Sequence, residues 1–197
     1  RDTLMARLDR HPEARDIAQV AACIGRECDL DLLSQVSGRS GAELEEALAK
    51  LAEAEILFRS SQGTVETFRF KHALVQEAAA DTLLKSTRRD IHGRIARLLE
   101  TGRPDYAVAR PELLAYHFTQ AQDFPVAVRY RQQAGNQAVA ASGNLEAIGE
   151  FGQALERITL LPPSEERDRL ELDILIAQAI PYTLTKGYAA PDHLVIV

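Results

Sequence analysis

Apolar positions recur along this chain mostly at the helical spacing. Leu4, Met5 and Leu8 share one face between Thr3 and Asp9 and predict a short helix. Pro12 suits the first turn of the next helix. That helix is predicted to run to about Ile24, with Ile17, Val20, Ala21 and Ile24 at i, i+3, i+4 and i+7, and Gly25 as its stop. Asp29 or Asp31 can open a third, short helix through Val36 that ends at Gly38. Ser40 with Glu43 three residues later reads as a capping box, and the helix behind it carries Leu44, Ala47, Leu48 and Leu51. The period then changes. Ile56–Arg59 and Thr67–Phe70 read as two short strands around a polar turn, Ser60-Ser61-Gln62-Gly63. A helix from about His72 to Leu84 follows, then one carrying Ile91, Ile95, Leu98 and Leu99.

Thr101-Gly102-Arg103-Pro104 interrupts the pattern and marks the expected domain boundary. Beyond it the spacing predicts helices at about 111–122, 125–142, 144–161 and 165–180. The breaks fall at Asp123-Phe124-Pro125, Ser142-Gly143-Asn144 and Pro162-Pro163-Ser164. The last helix carries Leu172, Leu175, Ile176 and Ala179 at i, i+3, i+4 and i+7. The expected fold is mainly α: a winged-helix domain with a short β-hairpin over 1–102, then tetratricopeptide-like antiparallel helical hairpins over 103–197. The repeat assignment comes from a 34-residue register beginning at Val128. It places Gly135, Ala147, Phe151 and Ala154 at the positions where two helices approach closely. Arg131 and Ala138 stand where large aromatics are usual. An unrelated Ala-rich helical hairpin is the other reading of the same residues. Such repeats stack in threes or more, so two hairpins suggest a segment of a longer protein.

Composition fits this layout. The 197 residues hold 46% hydrophobic side chains but only 6% aromatics and no Trp. A quarter of the chain is charged, which opposes disorder and a membrane fold. The four lysines (Lys50, Lys71, Lys85, Lys186) never follow a Gly, so no Walker A phosphate loop is present. The longest uncharged stretch near the end, Ile174–Thr185, is 12 residues and too short to span a bilayer. The absence of an initiator Met and the apolar finish Leu194-Val195-Ile196-Val197 read as a cut from a larger protein. An expression fragment or processing would look the same.

Net charge is −6, which opposes a whole-chain attraction to nucleic acid or anionic membrane. The would-be DNA-recognition helix, about Ser40 to Glu55, carries Glu43, Glu45, Glu46, Glu53 and Glu55 against a single Lys50. It would repel phosphate. A basic cluster, Lys85, Arg88, Arg89, Arg94 and Arg97, offers either a solvated face or a seat for an acidic domain or nucleotide. Cys23 and Cys28 have neither zinc nor redox spacing and read as free thiols. His11, His92, His117 and His193 have no supporting constellation, and no G-x-S-x-G elbow or H-E-x-x-H occurs. His72 stands where the second strand passes into a helix. It either caps and packs there, or faces a phosphate together with free backbone N–H groups.

The stretch Phe68-Arg69-Phe70-Lys71-His72-Ala73-Leu74-Val75-Gln76-Glu77-Ala78 resembles the end of the winged-helix domain of STAND-class signal-transduction ATPases. It is most similar to the bacterial ones that join a class III adenylate/guanylate cyclase to an AAA-like ATPase and a helical repeat region. Four further stretches resemble that family in the same order: Ala6–Arg10, Ala21–Glu27, Leu114–Ala121 and Thr185–Pro191. In this class a Met-His-Asp histidine contacts the nucleotide phosphate and holds the resting state. Here the motif reads Lys71-His72-Ala73, and the resemblance carries the role to His72 as a nucleotide-sensing, cofactor-contacting residue. Ala80 departs from the family, where an aromatic is common.

What the resemblance implies is a non-catalytic regulatory and interaction segment in a cytoplasmic protein. Its partners would be the adjacent ATPase and effector domains, and a protein or small-molecule ligand at the repeat region. Neither nucleic acid nor membrane is expected. The segment itself would hold no cofactor and no metal; ATP or ADP with Mg would be bound by the longer protein. A winged-helix transcription regulator with a helical sensor domain is the alternative.

Overall fold

The computed structural model describes residue 8, residues 11–62 and residues 65–186. The helix expected over Thr3–Asp9 lies outside these residues apart from Leu8, which is helical and buried. The described chain is mainly helical with one small antiparallel sheet. It divides into two compact units between Leu98 and Leu99.

The first unit holds α1 (Pro12–Ile24), β1 (Glu27–Asp29), α2 (Leu30–Ser37), α3 (Gly41–Glu53), β2 (Leu57–Gln62), β3 (Val65–Phe70) and α4 (Ala73–Asp81). It also holds the start of α5 (Lys85–Gly102). Asp29 caps α2, its carboxylate accepting the Leu32 N–H at 2.7 Å. Gly38 closes α2 in the left-handed region (φ 73°), where a Cβ would be strained. The expected capping box of α3 does not form. Ser40 holds the N-cap position without a side-chain bond, and Glu43 turns instead to Arg39 at 3.3 Å, a cation also held by Asp16 at 2.7 Å.

The sheet has three strands in the order β1–β3–β2, one more than periodicity suggested. Three residues are too few to show an alternation, so β1 was hidden in the sequence. Ser60, Ser61 and Gln62, expected as a turn, continue β2 instead. Register puts Leu57 opposite Phe70 and Cys28 opposite Phe68, all four buried. Phe58 and Arg69 pair on the other face. Period-two alternation therefore lays one apolar face of the sheet on the helices. Burial pushes the Cys23 thiol up to about 11 and Cys28 to about 12, so both are free but inert.

The second unit holds the end of α5 and then α6 (Pro104–Ala109), α7 (Pro111–Gln120), α8 (Phe124–Ala140), α9 (Asn144–Ile158) and α10 (Glu165–Lys186). Helix α5 runs through Thr101 and Gly102 rather than stopping before them. The sharp break is at Arg103, where Pro104 opens α6, a helix the sequence reading did not anticipate. Consecutive helices pack as neighbours: α7 on α8, α8 on α9, α9 on α10. The α7–α8 and α8–α9 turns are built alike. The Asp123 N–H donates to Phe118 O at 2.9 Å and the Gly143 N–H to Ala138 O at 2.8 Å, with Gln122 and Ser142 left-handed. This is a Schellman-type closure repeated twenty residues apart.

The core of this unit joins Val128, Ala138, Ala147, Phe151, Ala154, Ile158 and Ile174. Gly135 exists to admit the Phe151 ring: a Cβ there would lie 2.5–2.8 Å from three ring atoms. Arg131, at a position expected to be aromatic, instead reaches Glu150 of α9 at 2.6 Å, with both side chains largely buried. Helix α10 runs past its expected end, through the buried Pro181 to Lys186. Its buried positions are Ile174, Gln178 and Pro181, not the Leu172 and Ile176 of the predicted stripe.

Candidate functional site

The turn from β3 into α4 is fixed from both sides. The Phe70 N–H donates to Arg26 O at 3.0 Å, and the Lys71 N–H to Ile56 O at 3.1 Å. The next residue, His72, is the N-cap of α4 in an extended conformation (φ −136°, ψ 136°). Its carbonyl accepts the N–H groups of Val75 at 3.0 Å and Gln76 at 3.3 Å. Val75, Ala78, Ala79 and Ala80 bury the inner face of α4, and Gln76 Nε2 ties it to Ala22 O at 3.2 Å. Ala80 is thus a small residue within a tight apolar face.

The His72 side chain is exposed and makes no capping hydrogen bond, so the helix is not held by its imidazole. Lys71 and Leu74 flank it in the chain, and Phe58 lies beside Lys71. Lys71 Nζ meets Glu55 Oε1 at 2.9 Å and stands 5.4 Å over the Phe58 ring. Phe58 and Leu74 are both exposed apolar side chains. An imidazole beside a helix N-terminus can donate to an anionic oxygen, and the Ala73 and Leu74 N–H groups that open the helix have no intrahelical acceptor.

Helix α3 is different in kind. Its Lys50 is shared by Glu13 (3.1 Å) and Glu46 (2.8 Å). The hydrogen bond to Glu46, then that to Glu13, raises the lysine pKa. Glu45 holds Arg59 at 2.9 Å. The cations near this helix are therefore already committed to carboxylates. On α5, Lys85, Arg89, Arg94 and Arg97 are exposed; Lys85 and Arg94 make no ion pair among the described residues. His92 and His117 are buried, and His193 lies outside the described residues.

The second unit carries a cleft of about 530 Å³ where α8 and α10 begin, lined by Pro125, Arg129, Leu161, Arg167, Arg169 and Asp173 among others. Its mixed charges and apolar walls suit a small polar ligand or a peptide segment. No local pattern in the sequence announces it, because its residues come from two stretches, 125–129 and 161–173, that are far apart along the chain. No group of three or more metal-ligating side chains occurs among the described residues. No described helix is long and apolar enough to cross a membrane.

The chain is similar to an uncharacterised protein of Rhizobium meliloti (strain 1021), with 27% identity over 175 residues. The match covers 88% of this chain but 17% of that protein, so the chain spans about a sixth of the relative's length. No family model matches the chain, and no solved structure matches it significantly.

Proposed function

We propose that this chain is a regulatory and interaction segment of a multidomain STAND-type signal-transduction ATPase linked to a nucleotide cyclase or similar output domain. It breaks and makes no bonds itself. The observation that carries the reading is His72, held exposed at the first turn of α4 by a backbone pinned on both sides of β3. There it can reach a nucleotide phosphate presented by a neighbouring ATPase domain. The element order helix–strand–helix–helix–strand–strand, with sheet order β1–β3–β2, is that of a winged helix and supports this part. The close approach of Gly135 to Phe151 supports a tetratricopeptide-like second unit. The length of the Rhizobium relative is the setting the reading needs. In this picture the unit up to Leu98 follows the nucleotide state, and the helical stack senses a protein or small ligand. Each biases the same two-state element.

The test is His72→Ala in the full-length protein. Nucleotide occupancy is expected to shift, or basal output to rise; unchanged affinity and activity remove His72 from the site. The chain alone should bind ATP no better than millimolar by calorimetry, since it has no phosphate loop. DNA affinity measured against salt separates this reading from a transcription regulator. With α3 acidic and its lysine paired, no steep negative slope is expected.

A further inference from the structure

We draw no further inference here: the strongest candidate, the cleft of about 530 Å³ where α8 and α10 begin, belongs to the helical stack whose ligand-sensing role is already proposed, and its walls set Arg129 and Arg169 beside Glu166 and Asp173, so that no single ligand chemistry is selected.

Discussion

The two units bury their apolar residues by opposite strategies. In the first, the sheet closes the structure across long stretches of chain: β1 pairs with β3 some forty residues away, and Glu27 Oε2 meets Arg69 Nη2 at 2.9 Å. In the second, each helix packs chiefly on the helix before and after it in sequence. The first unit leaves Phe58, Leu74 and Leu84 exposed at scattered points rather than along one helix face. A linear stack grows one neighbour at a time, and α10, the last helix of the described residues, carries aliphatics on its outer side as well as its inner one. The first strategy gives cooperativity over the whole unit; the second gives stability as a sum of neighbour terms.

The largest way to break that comparison is to empty each core in turn. Phe151→Ala and Phe70→Ala each remove a fully buried ring and should each cost about 3–5 kcal/mol. The distribution of the loss should differ. Native-state hydrogen exchange should rise in Phe70→Ala over all of α1–α4 and the sheet together. In Phe151→Ala it should rise most in α8–α10 and least in α6. Uniform loosening of the second unit would show that the stack is as cooperative as the sheet-bearing unit.

Acid gives a smaller test, confined to the first unit. His92 is buried at 1% exposure, and burial, helped by the Arg88 charge, pushes its imidazole down to about 4. The unfolded chain takes up that proton near pH 6.5. Between roughly pH 6.5 and 4 the unfolded state therefore binds more protons than the folded one, and stability falls as pH falls, by at most about 3 kcal/mol. Above pH 7 His92 adds no pH dependence. Glu27, lowered by its hydrogen bond from Arg69, loses its own contribution at the acid end of the same range. Denaturant titrations of His92→Leu beside the wild type isolate the histidine: the variant should lose most of the slope between pH 6.5 and 4.

Sequence alone made the helices legible wherever an apolar stripe had only one face to occupy, as in α1 and α3. It failed where a helix had two. In α10 the i, i+3, i+4, i+7 rule is satisfied by Leu172, Leu175, Ile176 and Ala179, yet the neighbour buries Ile174, Gln178 and Pro181. Periodicity reports that a face is apolar, not which neighbour claims it. Strand β1 was invisible because three residues, Glu27-Cys28-Asp29, acquire strand character only by pairing with β3. His72 could be placed at a strand-to-helix junction from sequence, since Phe68 and Phe70 alternate and Val75, Ala78 and Ala79 do not. That its ring stays in solvent, and that the neighbouring Lys71 turns to Glu55, are tertiary outcomes which no local pattern announces. The cleft beside Arg129 and Arg167 was illegible for the same reason: it exists only once α8 and α10 begin side by side.

The finest test uses two glycines of the stack. Gly135 and Gly149 both sit inside helices, where Gly costs roughly 0.5–1 kcal/mol against Ala. Propensity alone therefore predicts that either substitution stabilises. Packing reverses the sign at one of them. At Gly135 a Cβ would lie within 2.8 Å of the buried Phe151 ring, which is enclosed by α8 and α9 and has no free side to turn to. Overpacking of this kind costs about 1–3 kcal/mol, more than the propensity gain. At Gly149 nothing lies within 4 Å of the added methyl. Gly135→Ala should thus lower the midpoint of unfolding, and Gly149→Ala should raise it by a few tenths to 1 kcal/mol. Gly135→Ala made together with Phe151→Leu should recover part of the loss, because the smaller side chain vacates the ring's place. If Gly135→Ala stabilised as much as Gly149→Ala, the close approach of α8 and α9 around Phe151 would be wrong, and with it the packing that seats Ile174 of α10 in the same core.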